Sequence, residues 1–362
     1  MKTLNLIEPT LFDQTGHSYG YVQSLINANG SIGFNLRVWL DKRGKTLLQN
    51  AACESHGYFY RATRQIQKLI LYFKLIKRDE IIFISTGELW DLQILAFYLK
   101  HLKTRAKIVL HFHQFKQNKS KIKALQKIKS DISNVKILAP TQQLADFFHN
   151  QGLTQSAVMP CPVFSAPRNV PNFSAKFNKL LYAGAARSDK GFPIIVKLLQ
   201  YLRSNNNDIP FEIQVSTPNS QRYDHDTQQA LQLLQSLPNN NLILHDSTLD
   251  QSQYLNLFNN SICLLLYDQK HYHDKFSGVA LDAFYSGSPI ITINNTWMGD
   301  TVQHYQAGIA LDNYSYAHMQ QAIETIVNNY EFYQNNAKRA AVDLSSKHDP
   351  KNTLLYISNH CC

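Results

Sequence analysis

Acidic residues are scarce in the first half of this 362-residue chain. Residues 1–168 hold 10 Asp and Glu against 23 Lys and Arg, a balance of +13, whereas the remainder holds 16 against 13, a balance of −3. That asymmetry points to an anionic surface met by one half only: membrane lipid, nucleic acid or a polyanionic glycan. Cysteine is also rare. The five present (Cys53, Cys161, Cys263, Cys361, Cys362) are odd in number and show no metal-ligand spacing, which supports neither a disulfide framework nor a zinc site. Cys263 reads as core, and Cys361-Cys362 as a tail end, with lipidation or redox chemistry as the alternative. No run reaches the roughly 18 to 20 uncharged apolar residues that span a bilayer. The first ten residues have too short an apolar core for a signal peptide and read as a first strand, so the expected compartment is the cytosol.

What is present describes a globular protein of two domains. Hydrophobic residues make up 44% of the chain, and its length suits two cores of ordinary size. Short apolar runs alternate with helical stretches from the start. Residues 3–8, 36–40, 81–85, 108–111, 135–139 and 157–159 read as strands, and the pattern restarts at 180–183, 212–216, 242–244, 262–266, 290–293 and 308–311. Strands separated by helices predict parallel, doubly wound sheets, whose ligands bind beyond the carboxyl ends of the strands. The irregular stretch 165–173 is the candidate linker. The expected division is a basic N-terminal domain over 1–165, a C-terminal domain over 166–345, and a tail over 346–362 that packs back on the first domain.

Two loops carry the chemistry. In the first, Leu180-Leu-Tyr-Ala-Gly184-Ala-Ala-Arg187-Ser-Asp-Lys190-Gly191, a strand, a glycine turn and two cations precede a helix. Such a loop can clamp a pyrophosphate, Arg offering a fork and Lys a point charge. In the second, Asp274-Lys-Phe-Ser-Gly-Val-Ala-Leu-Asp282, two carboxylates flank Ser277-Gly278. If Ser277 opens a helix, the free N–H groups at Gly278 and Val279 face an anion, and the two acids can bind hydroxyls on either side of it. The alternatives are an exposed basic turn and a capped surface helix.

Together these loops resemble the glycine-then-Lys-Gly loop and the Glu-x7-Glu motif of GT-B glycosyltransferases of family 4, the group 1 glycosyl transferases. Both Glu positions are Asp in this chain, while Ala283, Gly287 and Pro289 stand where that family has them. Lys107-Ile-Val-Leu-His-Phe-His113, Leu138-Ala-Pro-Thr141 and Met159-Pro-Cys-Pro162 are similar to further segments, in the same order along nearly the whole chain. The resemblance implies two Rossmann-like doubly wound domains facing a cleft. It implies transfer of a hexose from a UDP- or GDP-sugar to an acceptor hydroxyl, with retention, without a metal or other cofactor, in bacterial surface glycan or glycolipid synthesis. Lys190 and Arg187 would neutralise the donor diphosphate, with Ala185 where the family's usual Arg stands. Ser277, Gly278 and Val279 would present N–H groups to the phosphates. Asp282 would hold the ribose and Asp274 the transferred sugar, each one methylene shorter than Glu. His113 would face the sugar, in preference to His111, which is expected on the opposite face of the strand. Gly16, in the loop after the first strand, would line the donor or acceptor side. The acceptor proton would leave to the departing phosphate oxygen.

Residues 61–78 and 116–129 read as basic amphipathic helices, which fit an anionic membrane surface or a lipid-linked acceptor, or else a solvated face. A nucleotide-sugar epimerase of the same fold and a nucleic-acid-binding protein using the basic half are the alternatives; the aromatic-basic motif expected of the latter is absent.

Overall fold

The computed structural model describes residues 2–14, 17–162, 176–215, 223–238, 240–247 and 249–361. Gly16, the linker 165–173, Ser216 and Cys362 lie outside the described residues. Two compact units form, one from Met1–Phe164 with Lys347–Cys362 and one from Ser165–Ser346.

The first unit is built on seven parallel strands: β1 (Thr3–Glu8), β2 (Asn35–Asp41), β3 (Glu54–Phe59), β4 (Ile81–Ile84), β5 (Lys107–His111), β6 (Lys136–Ala139) and β7 (Ser156–Val158). Their order is β3-β2-β1-β4-β5-β6-β7. Helices α1 (His17–Asn29), α2 (Arg64–Lys77), α3 (Leu89–His101), α4 (Lys119–Ile128) and α5 (Gln142–Asn150) supply the crossovers. Among the described strands, β3 is the one that periodicity misses. It lies at the sheet edge with only Phe59 buried, so no alternation marks it.

The second unit holds β8 (Lys179–Tyr182), β9 (Phe211–Gln214), β10 (Leu242–His245), β11 (Ser261–Leu265), β12 (Ile290–Ile293) and β13 (Gly308–Leu311), in the order β10-β9-β8-β11-β12-β13, again all parallel. Its helices are α6 (Phe192–Ser204), α7 (His225–Ser236), α8 (Gln251–Asn256), α9 (Gln269–Tyr272), α10 (Gly278–Tyr285), α11 (Trp297–Tyr305), α12 (Tyr316–Asn328) and α13 (Tyr330–Lys347). The last helix, α14 (Pro350–Cys361), packs on α1 of the first unit.

Strands β4 and β11 are buried at every position, as expected where helices cover both faces of a parallel sheet. In each sheet the direction of winding reverses beside the first strand, between β1 and β4 and between β8 and β11. Adjacent loops diverge at such a reversal and leave room for a ligand.

Candidate functional site

At the reversal in the second unit, two glycines fix the loop after β8. Gly184 has φ 108°, and a Cβ built there would lie 3.6 Å from Val279 Cγ2 and 3.7 Å from Lys190 Nζ. Gly191 has φ 74°, and its Cβ would stand 2.0 Å from the carbonyl oxygen of Leu266, at the end of β11. Only glycine satisfies both the left-handed backbone and that approach. The Asp268 N–H donates to the Asp189 carbonyl at 3.0 Å, a second tie between the two loops. The result brings Lys190, the Gly184 backbone and the first turn of α10 together.

Helix α10 begins where Ser277 suggests. The Ser277 hydroxyl accepts from Ala280 N at 3.3 Å, leaving the N–H groups of Gly278 and Val279 at the open helix end. Lys190 sits in a short turn over Ser188–Lys190, with its ammonium 5.7 Å from the centroid of the Tyr267 ring. Burial, and after it the charge of Arg187, lowers its pKa from the usual lysine value. A partly desolvated cation beside a helix N-terminus is an anion site in which each contact gains from the reduced dielectric. Arg187 is half-exposed and held by Asp189, its Nε donating to Oδ1 at 2.8 Å and Nη2 to Oδ2. It reaches a diphosphate only by leaving that carboxylate. Asp274 is buried, with His273 Nδ1 3.9 Å from its Oδ1. Asp282 accepts from the Tyr254 hydroxyl at 3.1 Å. Burial and then the Asp282 charge push the Tyr254 phenol upward, so it stays a donor.

The first unit gathers polar groups around the end of β5. His111 is fully buried, its Nδ1 2.6 Å from the Tyr21 hydroxyl and its Nε2 3.9 Å from Cys161 Sγ. Burial, then the neighbouring His113, drives its pKa well below the usual value, against a backbone bond to Met159. The His113 ring lies 5.3 Å from both the His111 and Tyr21 rings. The expectation that His111 turns away from His113 is therefore corrected: side chains two apart on a strand share a face. One ligand atom each from His111, His113 and Cys161 lie within 4.8 Å of one another. Cysteine spacing gave no sign of this, because Cys161 arrives from beyond β7. At the other reversal loop, buried Glu8 accepts from Thr10 N at 3.2 Å, Ser85 Oγ at 2.7 Å, Thr86 Oγ1 at 2.5 Å and Thr10 Oγ1.

Residues 164–343 match the family model "Glycosyl transferases group 1". The chain is a GT-B glycosyltransferase carrying the group 1 domain. No curated protein matches it in sequence. Among solved structures it resembles a glycosyltransferase from Rickettsia africae, with 14% identity, TM-score 0.75 and 99% and 98% of the two chains covered. It also resembles sucrose-phosphate synthase from Thermosynechococcus elongatus, with 13% identity, TM-score 0.70 and coverage of 99% and 98%. The Anabaena protein HepE in complex with UDP matches with 14% identity, TM-score 0.69 and coverage of 99% and 99%. At these identities the likeness is one of fold. The family itself sets the epimerase and nucleic-acid readings aside.

Two features of the glycosyltransferase escaped sequence reading. Asp224-His225-Asp226 is an Asp-x-Asp sequence, the pattern often tied to a metal. Here Asp224 caps α7, accepting from Thr227 N at 2.8 Å and from the Ser188 hydroxyl, while Asp226 is exposed. Tyr254 is the other, since a tyrosine on a short helix carries no motif.

Proposed function

We propose that the enzyme moves a hexose from a UDP- or GDP-sugar to an acceptor hydroxyl with retention at the anomeric carbon. The observation that carries this reading is the convergence of Gly184, Lys190 and the N-terminus of α10. A diphosphate placed there meets an ammonium and the backbone N–H groups of the first turn of α10, which stabilise the charge developing on the leaving group without a metal. Arg187 joins on release from Asp189. Asp282, oriented by Tyr254, takes the ribose hydroxyls, and Asp274 and His113 contact the transferred sugar. The acceptor proton passes to the departing phosphate oxygen, so bond formation to the sugar and cleavage of its bond to phosphate balance without a separate base. HepE, solved with UDP-glucose, supports a UDP-sugar as the first donor to try.

The acceptor in this reading is a bacterial surface glycan or glycolipid at the cytosolic face of a membrane. Its support is the exposed cationic face of the first unit, with Arg61, Lys74, Lys77 and Arg78 around α2 and Lys119, Lys123, Lys127 and Lys129 around α4. Lys68 is not part of that face, being buried against Asp91 at 2.9 Å. Among the described residues no helix is long and apolar enough to cross a membrane. Flotation with anionic vesicles at low salt tests the surface, and failure to float removes it. The donor is tested by melting the protein with UDP-, GDP- and ADP-sugars. Binding to the folded state raises the midpoint by mass action, more in the parent than in Lys190→Ala. No shift with any donor overturns the donor assignment.

A further inference from the structure

We propose that His111, His113 and Cys161, all of the first unit, form a binding site for a soft divalent metal ion, Zn²⁺ in the first place. Two imidazoles and one thiol are the ligand types that zinc selects, with a fourth position left for water. Tetrahedral bonds of about 2.0–2.1 Å to nitrogen and 2.3 Å to sulfur put neighbouring ligand atoms roughly 3.3–3.6 Å apart. His111 Nε2 and Cys161 Sγ already stand at 3.9 Å, and all three ligand atoms lie within 4.8 Å. His113, the half-buried member, closes the remaining gap by a small ring rotation.

The surroundings are those of a prepared ligand set. Tyr21 holds His111 Nδ1 at 2.6 Å, which points Nε2 toward the thiol. Its hydroxyl can donate to that nitrogen or accept from it, so the ring can carry its proton on Nδ1 when Nε2 takes a metal. His348, from the C-terminal segment, donates from Nδ1 to the Cys161 carbonyl at 2.8 Å and fixes the backbone behind the sulfur. On binding, the S–H bond is replaced by a sulfur–metal bond, the proton leaves to solvent, and the His111 bond to the Met159 backbone gives way. Oxygen-seeking ions such as Mg²⁺ gain little from this set. A metal here would hold the His113 ring away from the transferred sugar, so Zn²⁺ should slow the enzyme reversibly. That consequence rests on the proposed role of His113; the binding does not.

Cobalt titration separates the two. Co²⁺ added to the full chain should give a thiolate-to-metal charge-transfer band together with the intense visible bands of tetrahedral coordination, saturating at one ion per chain. Cys161→Ser should abolish the charge-transfer band, whereas the double variant Cys361→Ser/Cys362→Ser should keep it. If Cys161→Ser does not fold by circular dichroism, His113→Asn serves instead and should weaken Co²⁺ binding about tenfold or more. No charge-transfer band, or one that survives Cys161→Ser, overturns the site. For the consequence, Zn²⁺ should inhibit sugar transfer by the parent, relieved by a chelator, and Cys161→Ser should resist it. Zinc that binds through Cys161 and leaves transfer unchanged overturns the inhibitory step alone.

Discussion

In the C-terminal unit the polar groups of the site come from two loops at the reversal of the sheet, and their positions follow from local backbone features: Gly184, Gly191 and the Ser277 cap. In the N-terminal unit Tyr21, His111, His113 and Cys161 meet only after α1, β5 and the segment beyond β7 have packed. The first arrangement is written in short stretches of chain and is exposed to an incoming anion. The second is a buried cluster fixed by tertiary contacts, with the C-terminal segment holding it through His348. The two should therefore respond to different perturbations.

The hardest break of the C-terminal arrangement is Gly191→Ala. The added Cβ meets the Leu266 carbonyl at 2.0 Å and sits at positive φ, so β8's loop or the end of β11 must move. A loss of about 3–5 kcal/mol is expected, read from the denaturant midpoint. An unchanged midpoint would show that the loop is not fixed by backbone approach.

Acid should strike the N-terminal arrangement next. Burial lowers the His348 pKa to about 4, and its bond to the Cys161 carbonyl only partly opposes this. With the unfolded value near 6.5, the unfolded chain binds more protons between those limits. Stability is therefore complete above about pH 6.5 and falls as pH drops toward 4, by about 3 kcal/mol from this residue. His348→Asn, which keeps an N–H donor but does not titrate, should flatten part of that slope in chelator-treated protein. Equal slopes in parent and variant would sink the assignment, and buried His111 accounts for slope that remains.

Lys190→Ala probes chemistry rather than framework. Removing one charge-assisted contact to the diphosphate should cost about 2 kcal/mol, or roughly 30-fold in kcat/KM for the donor, with the unliganded melt nearly unchanged. A loss confined to kcat with KM unchanged would place the lysine's effect in the transition state alone. An unaltered kcat/KM would remove Lys190 from the donor site.

The contrast also explains what the sequence made legible. Parallel doubly wound sheets, the strand positions and the helix opening at Ser277 all follow from periodicity and capping, which operate over a few residues. Half-exposed β3 gives no such signal. The pairing of Arg187 with Asp189 depends on the rotamers of two flexible side chains, whereas the placing of His111 beside His113 follows from the strand period. Cys161 lies fifty positions from His111, and nothing in its neighbourhood anticipates the meeting.

Tyr254 offers the finest comparison, since it acts on the C-terminal site but arrives by tertiary packing. Asp282, the proposed ribose contact, is one methylene short of Glu, and the tyrosine hydroxyl at 3.1 Å fixes the direction of its carboxylate. Tyr254→Phe removes only that bond and should weaken UDP or GDP binding by about 1 kcal/mol, near fivefold, measured by calorimetry. The same change made in an Asp282→Asn background separates positioning from packing. If the tyrosine works through the carboxylate, the two losses are strongly non-additive. If Tyr254→Phe weakens nucleotide binding equally in both backgrounds, the ring supports the nucleotide by another contact, and the carboxylate is oriented without it.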